Sequence, residues 1–338
     1  MKVLLMIAVA VLIAVSSPVT AQQRGQQTTN EEEQRFKQSS AAQERVAAAM
    51  AIAKPDLVQE AQYLCTWQGP QRPAELRQQA GLPAIPDHQI EPVRIFDNLY
   101  YIGFNDVGAW ALTTSDGIIL FDSLNTPEEA EKVLIPGMQK VGLDPKQIKY
   151  VILGHGHFDH FGGAPYLQRT YKARVAMGAP DWDLIARPPA ANAPQQQRNR
   201  ELPTRDIAVT GEQTVTLGDT TVTMILTPGH TPGSIAIIFP IKERGRQYSA
   251  LILNGGFTVP DRKQFDTLKR VIDVAKKQKT ATLLQSHPGM VGDTLAAMDT
   301  RRKNPAAPNP FFYEETRFAC YMNIVTECAE ARLLASGS

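Results

Sequence analysis

The 338-residue chain holds only three cysteines and six histidines, and its 35 basic residues barely outnumber its 34 acidic ones. Cys65, Cys320 and Cys328 show none of the close pairing by which thiolates hold a structural zinc, so a cysteine-built zinc module is excluded. A formal net charge of +1 supplies no basic field for nucleic acid or an anionic membrane surface. Long apolar runs are also missing after Ser16, which leaves the first segment as the one hydrophobic stretch to interpret.

That segment, Met1 to Val15, joins a short basic start to an apolar run too short to span a bilayer comfortably, and Val19-Thr-Ala21 offers small residues for cleavage. Residues 1–21 are read as a secretion signal, against the alternative of a retained anchor, and the mature chain is expected to be periplasmic or secreted. Removing Lys2 and no acid brings the formal charge to 0 (34 minus 34). Export permits one disulfide. Cys320 and Cys328 lie eight apart on one predicted helix, about 12 Å of rise, so joining them would break that helix. Cys65 is expected to pair with one of the two.

Residues 22–60 are rich in Gln, Glu and Ala and read as a flexible leader that turns helical near 41–53. Residues 61–338 are taken as the catalytic domain. Short apolar strands are predicted at Val93–Gly103, Ala109–Thr114, Gly117–Asp122 and Ile148–Leu153, with a helix from Pro127 to about Val141. Strand groups followed by helices occur twice, which predicts an α/β chain of two β-rich halves sandwiched by helices, with the ligand loops on one edge. The stretch from Pro188 to Pro203 reads as a loop by composition, and with Trp182 it is a candidate cover for a substrate.

What the chain does have is concentrated. Between Gly154 and Gly163 it reads G-H-G-H-F-D-H-F-G-G, immediately after the strand Ile148–Leu153. Extended backbone at His155 and His157 points both imidazoles the same way, while a following bend turns Asp159 and His160 toward a second position. His230 lies in the turn T-P-G-H-T-P-G-S and His287 in S-H-P-G, each after a predicted strand; only His88 lacks such a setting. A hydrolytic dimetal centre needs nitrogen and carboxylate ligands, an open position on each ion, and metals about 3.5–4 Å apart. The spacing therefore assigns His155, His157 and His230 to one ion and Asp159, His160 and His287 to the other. Histidine and carboxylate donors suit Zn²⁺, so two Zn²⁺ ions are the expected cofactors, with Fe or Mn as alternatives. Phe158 and Phe161 flank the cluster as pocket walls or core packing, and Asp122 is placed to support a ligand histidine.

These motifs, with the segment from Asn254 to Thr258 and the tail from Asn309 through Ala329, resemble the metallo-β-lactamase superfamily over roughly Val93 to Ala331, and within it the third subclass of class B β-lactamases. The resemblance implies a four-layer αβ/βα sandwich of two β-sheets flanked by helices. It also implies a zinc-dependent hydrolase that opens the amide bond of β-lactam antibiotics with a metal-held hydroxide, a small molecule being the partner. Its six ligand positions fall on the six residues assigned above, with Asp159 also orienting the nucleophile. Thr258 aligns with a family hydroxyl that contacts the substrate, and Phe158 is a second substrate-facing position. The chain departs from lactonase-like and glyoxalase-II-like members at Leu253-Asn-Gly-Gly256, where no bridging carboxylate stands, and Gly256 replaces a frequent serine. A lactonase or thioesterase of the same fold remains the alternative, followed by a zinc-binding scaffold without turnover.

Overall fold

The computed structural model describes residues 31–53, 57–65, 88–188, 200–253, 261–288, 294–313 and 315–336. The proposed signal, Gly256, Thr258 and most of the loop at 188–203 lie outside them. The chain runs α1 (Ser40–Ile52), α2 (Val58–Leu64), β1 (Val93–Phe96), β2 (Leu99–Gly103), β3 (Gly108–Thr114) and β4 (Gly117–Phe121). Next comes α3, whose Pro127–Glu129, Ala130–Leu134 and Ile135–Lys140 turns include a π-turn, then β5 (Ile148–Ile152), α4 (Phe158–Phe161), α5 (Ala164–Tyr171), β6 (Arg174–Gly178) and α6 (Ala179–Ile185). The second half holds β7 (Ile207–Val209), β8 (Glu212–Leu217), β9 (Thr220–Leu226), β10 (Ile235–Glu243), β11 (Arg246–Leu253), α7 (Arg262–Lys277), β12 (Thr280–Leu284), α8 (Thr294–Lys303) and α9 (Glu315–Ser336).

Two sheets result, seven strands in the order β1 to β7 and five in the order β12-β11-β10-β9-β8. The first begins as an antiparallel meander and turns parallel from β4 onward; the second is antiparallel except where β12 joins β11. Alternation along the strands sorts the apolar side chains into layers. Ile119 and Phe121 face inward to meet Ile237 and Phe239 of the other sheet, with the Phe121 and Phe239 rings 4.4 Å apart, while Ile118 and Leu120 face outward onto α3 and α5. Ala236, Ile238 and Leu251 pack outward on α1, α2, α7 and α9. Helices, sheet, sheet, helices is the expected four-layer sandwich.

Three sequence expectations change. Val93–Gly103 is two strands, because Asp97-Asn98 makes a turn whose side chains and backbone are used elsewhere: Asn98 Oδ1 accepts from Lys242 N at 2.8 Å and Asp97 N donates to Lys242 O at 2.7 Å. The helix expected near 41–53 is present as α1 (Ser40–Ile52), but this part of the 22–60 segment is not a loose leader, since Ala42, Ala49 and Ala53, like Ala61 of α2, are buried, mostly against α9. Small side chains let helices approach closely, so a segment poor in large apolar residues still joins the core. Cys65, at the end of α2, is bonded to Cys328 of α9, with Cα atoms 4.7 Å apart, and Cys320 is the free thiol.

Trp182 is the third correction. It belongs to α6, is almost fully buried in the layer under the first sheet, and donates its indole N–H to Ile207 O at 3.0 Å, so it anchors a helix and covers no substrate.

Candidate metal centre

β5 is an apolar parallel strand whose C-terminal end delivers the histidine loop to one edge of the sandwich, the usual place for chemistry in α/β sheets. Backbone at His157 is still extended (φ −86°, ψ 150°), and the single turn of α4 begins directly after it. Thus His157 projects from extended backbone within a bend that also carries His155, and Asp159 and His160 from a helical turn. The T-P-G-H-T-P-G-S turn is stitched by its own hydroxyls: Thr231 N donates to Ser234 Oγ at 3.0 Å and Thr227 N to Ser234 O at 2.7 Å. Ile235 N then donates to Gly154 O at 2.9 Å, which sets this turn beside the histidine loop.

Five of the six histidines and one aspartate converge there. His157 Nδ1 lies 3.2 Å from His155 Nε2 and 3.0 Å from His230 Nε2. The three rings stand nearly perpendicular to one another, at 79° to 85°. Nearby, His160 Nε2 is 3.2 Å from His287 Nε2, and Asp159 Oδ2 is 3.4 Å from His287 Nε2 and 3.8 Å from His160 Nε2. His155 also lies within ligand reach of Asp159 and His160, so the two trios adjoin. His88 is exposed and outside both groups.

Electrostatics suit this donor set to a cation. Burial holds the His155, His157 and His230 imidazoles below their ordinary proton affinity, reinforced by the neighbouring rings, with His230 lowered to about 4. All three are neutral at pH 7, the form that lends a lone pair to a metal. Burial opposes ionisation of Asp159, yet electrostatic attraction to the His160 ring and the His287 hydrogen bond prevail and keep its carboxyl well below the usual range. A neutral imidazole carries one N–H, so nitrogens facing each other three at a time cannot all be satisfied by mutual hydrogen bonds. His155 Nδ1 is in addition buried without a hydrogen-bond partner among the described residues. The residues therefore fit a divalent metal bound through nitrogen and oxygen.

The supports of the second trio were partly legible. Asp122 accepts from His160 Nδ1 at 2.7 Å and from Gly154 N at 2.7 Å, and Ser286 Oγ also donates to it. Its backbone is left-handed (φ 61°), a conformation a non-glycine residue holds only where the surroundings enforce it. His287 Nδ1 contacts Asp106 O at 2.8 Å, which leaves its Nε2 aimed at the site. Sequence reasoning missed Asp181 of α6, whose buried carboxylate accepts from Gly156 N at 2.6 Å, Thr231 Oγ1 at 2.6 Å and Gly233 N at 2.8 Å. Its signal is faint, a Gly-Ala-Pro-Asp start to a helix after an apolar strand. Phe158 is half-buried and packs on the layer of Phe161, which is fully in the core.

The fold and the histidine-lined edge define a class. Residues 102–243 match the family model of the Metallo-beta-lactamase superfamily. A hydroxyacylglutathione hydrolase of Acidiphilium cryptum is 37% identical over 93 residues, 28% of this chain and 31% of that protein. The chain matches only about a third of the length of such curated relatives. Among solved structures, BJP-1, a subclass B3 metallo-beta-lactamase of Bradyrhizobium japonicum, is similar at 25% identity with TM-score 0.54, over 69% of this chain and 89% of that one. Native FEZ-1 metallo-beta-lactamase from Legionella gormanii gives 25% identity and TM-score 0.58, over 73% and 96%.

Proposed function

We propose that this protein is an exported zinc hydrolase that opens the amide bond of β-lactams. The observation that carries the reading is the meeting of five imidazoles and one carboxylate, from three distant loops, as two adjoining trios. His155, His157 and His230 would hold one Zn²⁺ and Asp159, His160 and His287 the other. When bound, such ions polarise a carbonyl and lower the pKa of water from 15.7 to about 7. Asp159, ionised and half-buried between the trios, is placed to accept a hydrogen bond from the attacking water and orient it. Asp122 takes the His160 Nδ1 proton in hydrogen bond and so fixes the tautomer that leaves Nε2 free for a cation.

Thr258 is proposed as the hydroxyl that meets the substrate carboxylate, and Phe158 as a wall beside it. Similarity to solved metallo-beta-lactamases, BJP-1 of subclass B3 among them, supports the lactam substrate. The higher local identity to a hydroxyacylglutathione hydrolase favours a thioesterase as the second reading, and the lack of a carboxylate at Leu253-Asn-Gly-Gly256 speaks against it. The Cys65–Cys328 bond supports export to an oxidising compartment. Zinc-loaded protein assayed against a carbapenem, a cephalosporin, an acyl-homoserine lactone and a glutathione thioester, with a chelator control, is expected to hydrolyse the lactams only. Thioester or lactone turnover without lactam turnover moves the assignment to the second reading, and activity untouched by chelation removes both.

A further inference from the structure

One carboxylate outside the six donors joins both loops of the first trio. Asp181 is fully buried and touches no imidazole among its hydrogen-bond partners. Its Oδ2 accepts from the N–H of Gly156, the residue between His155 and His157, and from the hydroxyl of Thr231, the residue after His230. Its Oδ1 accepts from the N–H of Gly233, three residues past His230. A buried carboxylate is costly unless hydrogen-bonded, and three donors to an anion are the strong kind. The Thr231 hydroxyl is itself within 2.8 Å of Ser234 Oγ, so the clasp is continuous with the turn that carries His230.

Glycines make the approach possible. A Cβ on Gly233 would lie 2.5 Å from Asp181 N and 2.6 Å from its Cγ. One on Gly156 would meet Asp181 Cβ at 3.0 Å, and one on Gly178 would lie 1.9 Å from Gly233 O. Two missing side chains, at Gly156 and Gly233, thus border this one carboxylate, and the N–H groups of those two glycines are two of its three donors, while the third, at Gly178, lets the chain ahead of α6 approach Gly233. By contrast, none of the hydrogen bonds to Asp181 among the described residues comes from His160, His287 or their neighbours Asp159 and Ser286, and His160 Nδ1 and Ser286 Oγ donate to Asp122 instead.

From this geometry we infer that Asp181 is a positioning residue for the first trio: by tying Gly156 to Thr231 and Gly233 it sets the spacing of His155, His157 and His230, and so the affinity of that trio alone for a divalent cation. The inference rests on the metal reading above. The test is cobalt(II) titration of the metal-free full chain, followed by visible absorption in competition with a chelator, for wild type, Asp181→Asn, Thr231→Val, His230→Ala and Val271→Ala. His230→Ala identifies the first-trio step, and Val271→Ala, in the core under α7, controls for lost stability.

Asp181→Asn is expected to weaken the first-trio step about 10- to 100-fold, the usual size for a residue supporting a ligand, and to leave the other step unchanged. Thr231→Val, which removes one of the three donors, is expected to weaken the same step by a smaller factor. Equal weakening at both trios, unchanged binding in Asp181→Asn, or the same loss in Val271→Ala overturns the positioning role. If Asp181→Asn does not fold, Thr231→Val decides, and an unchanged first step overturns it. A wild-type chain that binds no cobalt(II) sinks the metal reading and this role with it, whereas two-step binding unaltered by Asp181→Asn sinks this role only.

Discussion

The two trios are held in different ways. On the Asp159, His160 and His287 side, Asp122 reaches an imidazole directly and also takes Ser286 Oγ and Gly154 N, so one carboxylate fixes a ring, its tautomer and two flanking segments. On the His155, His157 and His230 side, Asp181 holds backbone and a threonine hydroxyl but no ring. Direct support tunes a ligand's basicity and orientation; backbone support sets where the rings stand, and the Asp181 charge reaches the His157 ring only through space. Burial accounts for the contrast in part: His160 is fully enclosed and its second nitrogen has an internal partner, while His157 and His230 stand at the rim, open to solvent on one side, but His155 is buried as well and its Nδ1 has no hydrogen-bond partner among the described residues.

The sharpest break of this comparison is Asp122→Ala. It strands the His160, Ser286 and Gly154 donors in a buried site, and the metal-free chain should lose about 3–5 kcal/mol in urea unfolding, together with binding at the second trio. A loss below about 1 kcal/mol would show that Asp122 is no hub. Gly233→Ala comes next. Its methyl group would press on Asp181 N and Cγ, a crowding that typically costs about 1–3 kcal/mol, and the first trio should lose cation affinity while the second keeps it. Equal losses at both trios, read by chelator competition, would erase the division between them.

What was legible follows from how local each signal is. Histidine is rare here, so H-G-H-F-D-H, G-H-T and S-H-P stand out against a sequence in which one other histidine occurs. Continuous apolar runs such as Ile235–Phe239 marked strands but not which residue faces which layer, because both faces of that strand are buried. Asp122 could be read because it ends a strand beside the cluster in register. Asp181 could not, because its function exists only once Gly156 and Gly233 close around it from 25 and 52 residues away. The cysteine pairing shows the same boundary. Helical geometry excluded Cys320–Cys328, but choosing Cys328 over Cys320 required knowing which face of α9 meets α2.

Proton binding offers a third probe of the asymmetry. His155, His157 and His230 have folded-state proton affinities below that of an unfolded histidine, so between about pH 6.5 and the value of about 4 for His230 the unfolded chain binds more protons than the folded one. Stability of the metal-free protein should therefore fall as pH drops through that window. His230→Ala removes one contributor and should flatten the decline in melting temperature between pH 6.5 and 4.5. An identical slope in the variant would mean that the ring binds its proton equally well in the folded and unfolded chains.

The smallest expected effect concerns the helix that carries the clasp. Trp182 follows Asp181 and ties α6 to β7 through a single indole hydrogen bond to Ile207 O. Trp182→Phe keeps most of the buried apolar surface and deletes that bond, so stability should fall by about 0.5–1.5 kcal/mol. If α6 is a scaffold that acts through Asp181, cation affinity at the first trio should weaken slightly and KM for any substrate should not move. A changed KM at unchanged metal affinity would instead make Trp182 a substrate contact, and would require the tryptophan to leave the core in which it is now buried.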